Sequence, residues 1–271
     1  GGSEAWSRPV AADLTGDKVN EVVFLATTAS GPAVYHIRDA TSDPVTVLAP
    51  GMVADSRRQV IALLPDDLND DGALDVVILT SRSSHPLLVY SMINSGNGTF
   101  SASPVVTSLG SGNSYIDFVV GDVDGDRLSD LVYEIYSVSS KYIAIRRGAG
   151  DGTFSSADDK RIPVGYLHSF VLVDLDKDGT LDIVSGFGQN VGVLGVLFNT
   201  DGRGTFAAGA LVLADGITKP SRPAVGDVNG DGKTSLVAGP YWYAGPVFKK
   251  QNRYRPGEPV NPKGYAHDSF L

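Results

Sequence analysis

The chain has 271 residues, of which 42% are hydrophobic, and this content is sufficient to build a folded core. A net charge of −9 and a pI near 4.8 argue against nucleic-acid binding, which requires a basic surface. The sequence contains no cysteine, which excludes disulfides, thiol nucleophiles and cysteine metal sites. No apolar run approaches the ~18 residues of a membrane span.

A nine-residue acidic segment occurs five times along the chain. We call its copies loop 1 (13–21), loop 2 (67–75), loop 3 (122–130), loop 4 (174–182) and loop 5 (227–235), and we number the positions within each loop from 1 to 9. The steps between successive first residues are 54, 55, 52 and 53. A nearly fixed period just above fifty residues indicates a repeat protein.

Short apolar segments around the loops predict the strands of one repeat. A first strand precedes the loop, at 60–64, 116–120 and 170–173. A second strand follows the loop, at 22–25, 76–79, 131–135 and 183–184. A third strand is predicted at 87–93, 142–146 and 192–198, and it runs into a Gly-Thr-Phe turn that ends at Phe100, Phe154 or Phe206. A more polar fourth strand closes the unit, at 105–108, 161–164 and 211–214.

Four short antiparallel strands in each unit of ~50 residues are typical of a β-propeller blade. No long segment has the 3.6-residue apolar period of a helix, so helices should be few. We therefore predict an all-β chain that forms a single β-propeller domain over 1–271, with repeats at approximately 5–58, 59–113, 114–166, 167–219 and 220–271. Because the repeats fill the chain evenly, a five-bladed ring is favoured, and the alternative is a part of a larger ring.

The loops have the ligand order of a calcium site. Side-chain oxygens recur at positions 1, 3, 5 and 9, and position 7 can offer its backbone carbonyl. The absence of histidine and cysteine from this set disfavours zinc and copper. The candidate metal ligands are Asp13, Thr15, Asp17, Val19, Glu21, Asp67, Asn69, Asp71, Ala73, Asp75, Asp122, Asp124, Asp126, Leu128, Asp130, Asp174, Asp176, Asp178, Thr180, Asp182, Asp227, Asn229, Asp231 and Lys233.

The five loops differ in their expected affinity for calcium. Loops 2, 3 and 4 have oxygen ligands at all four side-chain positions, although loop 3 carries Arg127 where the turn favours glycine. Loop 1 has Thr15 at position 3 and Lys18 at the turn, so we expect it to bind more weakly. Loop 5 has Ser235 in place of the final acid, so we expect it to bind calcium poorly or not at all. The sequence thus predicts about three strong calcium sites and at most five.

These motifs resemble the FG-GAP/VCBS repeat family, whose propeller blades carry Asp-x-Asp/Asn-x-Asp-Gly-x-x-Asp calcium loops and often a Gly-x-Gly-Thr-Phe turn. The resemblance covers most of the chain and is strongest from about 60 to 240. Integrin α-subunit heads, several fungal lectins and many secreted bacterial proteins contain such blades. The resemblance implies that each loop joins the two inner strands of a blade and that the bound calcium is structural.

Aromatic residues near the two ends of the chain are candidate ligand-binding residues. In a closed ring the two ends meet, so these side chains could form one platform for sugar stacking. The alternative is that they pack together where the ring closes. The residues are Trp6, Tyr241, Trp242, Tyr243 and Tyr254.

No arrangement in the sequence indicates catalysis, so we do not expect an enzyme. The four histidines fall in different repeats without a shared spacing, and no nucleophile elbow, metalloprotease helix or P-loop is present. We expect a calcium-stabilised, secreted or cell-surface recognition module, lectin-like or adhesive, that binds a glycan or an extracellular protein. The alternatives are a noncatalytic propeller domain of a larger secreted carbohydrate-active enzyme and a purely structural or assembly unit, natural or engineered.

Overall fold

The structure is a computed structural model of the chain. It describes residues 9–28, 31–37, 46–49, 58–101, 103–110, 117–136, 141–156, 160–165, 167–187, 193–208, 212–213, 223–238, 241–244 and 251–253. Across these residues the secondary structure is β-strand, turn and bend, without a helix. The part of the chain that is described accordingly has no helix long and apolar enough to cross a membrane.

Five antiparallel sheets follow one another along the chain. The first contains β1 (Val10–Ala12), β2 (Glu21–Thr28), β3 (Gly31–Ile37) and β4 (Thr46–Ala49). The second contains β5 (Gln59–Asp66), β6 (Asp75–Ser81), β7 (Leu88–Met92) and β8 (Val105–Ser108). The third contains β9 (Phe118–Gly121), β10 (Asp130–Tyr136), β11 (Lys141–Arg146) and β12 (Lys160–Pro163).

The last two sheets have the same meander order. The fourth contains β13 (Leu167–Val173), β14 (Asp182–Phe187), β15 (Val193–Asn199) and β16 (Phe206–Ala208), and the short β17 (Val212–Leu213) also pairs with β15. The fifth contains β18 (Ala224–Gly226), β19 (Ser235–Ala238), β20 (Tyr241–Ala244) and β21 (Gln251–Arg253). The predictions of an all-β chain and of four-stranded antiparallel units are therefore confirmed.

Consecutive sheets pack against each other through shared apolar cores. The second strand of each central sheet contributes to two cores, because alternate side chains point to opposite faces. In β6, for example, Ile78 packs toward the first sheet and Leu79 packs toward the third. In β10, Tyr133 packs toward the second sheet and Val132 toward the fourth. Burial on both faces explains why these strands are almost continuously apolar.

The first strands of consecutive sheets lie beside one another, with β5 next to β1 and β9, and β9 next to β13. A separate core joins each successive pair of sheets from the first to the fifth. Among the described residues, no such core joins the fifth sheet to the first. The first four sheets thus form a consecutive series with neighbouring first strands, and the fifth sheet packs against the fourth through their shared core.

The outer strand of the fourth sheet begins earlier than the sequence predicts. It is expected at 211–214, but β16 starts at Phe206, inside the Gly-Thr-Phe turn, and Val212–Leu213, the described part of the expected segment, also pairs with β15. In the preceding repeats the corresponding phenylalanines form single bridges, Asn94 to Phe100 and Gly148 to Phe154. The turn phenylalanine therefore pairs with the end of the third strand in all three repeats.

Candidate metal centres

Each acidic loop connects the first and second strands of its sheet. Position 1 directly follows the first strand in all five loops, and position 9 is the first residue of the second strand. All five loops therefore lie at the same end of their sheets, where a pair of strands holds each loop closed.

Hydrogen bonds within each loop fix the side chains at positions 1 and 5. The position 1 carboxylate accepts the backbone N–H of position 6 at 2.6–3.0 Å in every loop, as in the bond from Gly179 to Asp174. The position 5 carboxylate accepts the N–H of position 7 at 2.8–2.9 Å, as in the bond from Thr180 to Asp178. Both carboxylates are thus oriented by the chain itself.

Two positions of each loop adopt a left-handed backbone conformation. Position 6 was expected to favour glycine, and its φ lies between 68° and 90° in all five loops, including Lys18 and Arg127. Position 4 is equally left-handed, with φ between 57° and 80°, which the sequence reasoning missed. Glycine fills only some of these places, and each non-glycine residue there costs roughly 1–2 kcal/mol. This strain persists because the surrounding hydrogen bonds hold the turn.

In each of the four loops that have an acid at position 9, this acid is the most buried of the candidate ligands. Glu21, Asp75 and Asp130 are 0% exposed and Asp182 is 1% exposed. Each accepts the backbone N–H of position 2 at 2.7–3.2 Å, from Leu14, Leu68, Val123 and Leu175 respectively. In loops 2, 3 and 4 the other oxygen accepts a second N–H at 2.7–3.0 Å, from Asn94, Gly148 and Asn199.

Burial of these acids disfavours their charged form. It raises the pKa of Asp75 to about 6, against the lowering effect of its two backbone hydrogen bonds, and the charges of Asp71 and Asp67 add to the rise. Burial likewise raises the pKa of Asp130 to about 6. A cation beside such a carboxylate would supply the missing counter-charge and favour the ionised form.

Three loops bring three carboxylates close enough to hold one metal ion. In each group the ligand oxygens all lie within 4.8 Å of one another. The donors are exclusively oxygen, which suits a hard cation such as calcium or magnesium. The groups are Asp13, Asp17 and Glu21 in loop 1, Asp122, Asp124 and Asp130 in loop 3, and Asp174, Asp176 and Asp182 in loop 4.

The carboxylates of loop 2 do not form such a group, although its sequence matches the calcium pattern at every side-chain position. Here the amide of Asn69 donates a 2.9 Å hydrogen bond to Asp71. Loop 1, which we expect to bind calcium more weakly, does bring its three acids together. In this loop the Thr15 hydroxyl donates a 2.8 Å hydrogen bond to Glu21.

Loop 5 differs from the other four at both positions 2 and 9. Ser235 is 1% exposed, so a small hydroxyl occupies the place of the buried acid. Val228, at position 2, is 45% exposed, whereas its counterparts in the other loops are 1–3% exposed. Without the acid, the bond that draws position 2 inward is missing from this loop. Its Asn229 donates to Asp231 at 3.0 Å, as in loop 2.

The candidate aromatic residues occupy different environments. Tyr243 is 1% exposed and packs in the core between the fourth and fifth sheets, so its ring offers no face for stacking. Trp242 is its neighbour in β20 and is half-buried. Tyr241 is the first residue of β20, and its side chain lies outside the described part of the structure. Trp6 and Tyr254 also lie outside the described residues.

Two asparagines that the sequence reasoning missed tie loops to the neighbouring sheet. The amide of Asn94 donates to the carbonyls of Leu14 at 2.7 Å and Leu74 at 3.0 Å. The amide of Asn199 donates to the carbonyl of Val123 at 2.8 Å. Asn199 is the last residue of β15 and Asn94 follows β7 by two residues, so both come shortly before the Gly-Thr-Phe turn. A residue-by-residue comparison of the second and fourth repeats could have found them.

Comparison with known proteins identifies the repeats. A family model described as FG-GAP-like repeat matches residues 67–133 and 134–185. The solved structure of the V. cholerae biofilm matrix protein Bap1 is similar at 13% identity and a TM-score of 0.39, over 82% of this chain. This chain spans 42% of that protein's length. A search of curated proteins finds no match. Residues 67–185, with their regularly spaced acidic loops and four-stranded units, belong to the FG-GAP repeat family.

Proposed function

We propose that the chain is a calcium-stabilised, extracellular recognition module built on a five-bladed β-propeller. The observation that carries this proposal is the set of oxygen ligands that lie close together at one end of the sheets, three carboxylates to a group in loops 1, 3 and 4. Each group joins the ends of the first two strands of its sheet, so a bound cation would stabilise the folded form over the unfolded chain.

Calcium fits these loops better than other metals. The donors are carboxylate, amide and hydroxyl oxygens on a loop, and calcium accepts six to eight such ligands with flexible geometry. Magnesium requires a stricter octahedron and keeps more of its water. Calcium loops of extracellular modules bind in the range of roughly 10⁻⁴–10⁻³ M, so weak sites would be filled outside the cell.

A ring of five blades is supported by the consecutive packing of the sheets and by the adjacency of their first strands. Closure would bring the first and fifth sheets together and bury their remaining apolar faces. An open series would leave two such faces exposed and would favour self-association. Analytical ultracentrifugation distinguishes a compact monomer from a concentration-dependent oligomer.

Recognition of a glycan or an extracellular protein, without catalysis, is the proposed activity. In the proposed ring the half-buried Trp242 stands near the junction of the first and fifth blades, where the repeats differ from one another. An accessible indole beside polar groups suits sugar stacking.

A glycan array probed in calcium and in chelator tests the proposal. We expect binding in calcium that the Trp242→Ala variant loses, with an unchanged melting temperature as the control for folding. Calcium-dependent folding with no glycan bound would direct the search to protein partners. Absence of any calcium effect on folding would contradict the proposal.

A further inference from the structure

A cleft beside loop 3, at the seam between the third and fourth sheets, has a basic lining. The space beside these sheets measures about 210 Å³ with open solvent included, and it is lined in part by Val123, Ile145 and Gly204. The lining also includes two candidate loop 3 ligands, Asp124 and Asp130. Three cationic residues, which we call the basic triad, complete the lining: Arg147, Lys160 and Arg203.

The basic triad converges from three separate elements. Arg147 directly follows β11, and its Nε lies 2.8 Å from the Oδ2 of Asp124. Lys160 opens β12, and its ammonium donates to the backbone carbonyl of Arg203 in the glycine-rich turn of the next sheet. The Arg203 side chain is exposed, and Arg147 remains 47% exposed. Both guanidinium groups can therefore donate to a ligand in the cleft.

The neighbouring seam provides an internal comparison. Alignment of the repeats by strand register places Ile93 where the third repeat has Arg147, and Val105 where it has Lys160. The residue before the turn glycine is Asp151 in the third repeat and Arg203 in the fourth. At that seam a Cβ on Gly152 would lie 3.4 Å from Ile93 and 3.5 Å from Val105, so apolar side chains fill the space. The fold thus does not require cations at these places.

We propose that the basic triad binds an oxyanion, the sulfate or carboxylate group of an acidic polysaccharide or a free inorganic oxyanion. Three cations face two carboxylates in the lining, and a divalent ion in loop 3 would neutralise those carboxylates. The anion and the metal should therefore strengthen each other's binding, as linkage requires. Because the whole chain carries nine net negative charges, a polyanion would be repelled in general and needs such a local site. The inference deepens the proposed recognition function and depends on it for the polysaccharide source.

Surface plasmon resonance with immobilised protein tests the site. The probes are dextran sulfate, polygalacturonate and inorganic phosphate, with neutral dextran as the blank, each in calcium and in chelator. The test variant is Arg203→Gln, because the Arg203 side chain is exposed and makes no hydrogen bond or ion pair with the described part of the chain. The matched control is Arg161→Gln, which removes one charge from the same strand as Lys160 but outside the cleft, where Arg161 stacks 4.9 Å over the Tyr142 ring.

We expect at least one oxyanion probe to bind in calcium and to weaken about tenfold in Arg203→Gln, the scale of one charge-assisted hydrogen bond. The control should stay within about twofold, and thermal melts should show that both variants fold. The probe whose binding weakens in Arg203→Gln identifies the source of the anion. Failure of every oxyanion probe to bind, or equal losses in the two variants, would overturn the site. If the protein binds a neutral glycan and Arg203→Gln does not change that binding, the oxyanion site is contradicted but the proposed recognition function is not.

Discussion

The side-chain amide of Asn199 donates a 2.8 Å hydrogen bond to the backbone carbonyl of Val123, 76 residues away. Val123 is position 2 of loop 3, and its N–H in turn binds the buried Asp130. Asn199 also donates its backbone N–H to Asp182 of loop 4 at 2.9 Å. One residue thus connects the loops of the third and fourth sheets, so the geometry of the loops and the packing of the sheets stabilise each other.

Substitution of Asn199 by alanine should destabilise the folded chain. The variant leaves the Val123 carbonyl without its partner at a buried site, which costs about 1–3 kcal/mol. Urea unfolding measures the change, and Asn20→Ala, at an exposed position of loop 1, is the matched control. Equal stability of the two variants would show that the bond contributes nothing to the sheet interface.

A substitution at Asp176 should separate the effect of metal binding on stability from the effect of the side chain on folding. Asp176 is an exposed member of the loop 4 carboxylate group. Asp176→Ala should therefore change stability in chelator by less than about 0.5 kcal/mol but should reduce the stabilisation by calcium. Asp201→Ala, an exposed acid outside the loops, should leave the calcium effect unchanged. The reading of loop 4 as a metal site would be wrong if both variants kept the full calcium response.

Much of this organisation could be predicted from the sequence. The loops and the second strands follow from a local signal, a fixed period and apolar runs on both sides of each loop. The residues that join neighbouring sheets, such as Asn94 and Asn199, could not be found in this way, because their partners lie in another repeat. Burial of the position 9 acids was also missed, since a carboxylate pattern alone gives no indication of which acid faces the core. The position of Tyr243 in a core likewise depends on how two sheets pack.

Restoration of the missing acid should create a stronger site in loop 5. Ser235→Asp places a carboxylate at a position that is 1% exposed, as in the loops that have the acid. In chelator the buried charge should lower the melting temperature, and in calcium the new ligand should raise it. Ser235→Asn matches the size without the charge. An equal calcium response in the two variants would contradict the assignment of position 9 as a ligand.

Glu134 should make stability depend on pH. It is 0% exposed, between the third and fourth sheets, and burial raises its pKa from 4.5 to about 7, with the charge of Asp117 adding to the rise and Lys141 opposing it. The folded form therefore keeps a proton that the unfolded chain releases near pH 4.5. The stability that this retained proton gives the folded form is fully present below pH 4.5 and is lost as the pH rises through about 7.

Glu134→Gln cannot ionise, so the variant should lack this part of the pH dependence. Relative to the natural chain, it should gain stability as the pH is raised from about 5 to about 8. Urea unfolding in chelator at both values provides the comparison. A difference between the two proteins that stays constant with pH would show that Glu134 does not titrate in this range.

Thermal unfolding in calcium and in chelator, with elemental analysis of the same samples, tests directly whether calcium in the acidic loops stabilises the sheets. We expect at least three calcium ions for each chain, one for each carboxylate group, and a melting temperature that falls on the order of 10 °C in chelator. An unchanged melting temperature, together with no calcium in the elemental analysis, would contradict this expectation.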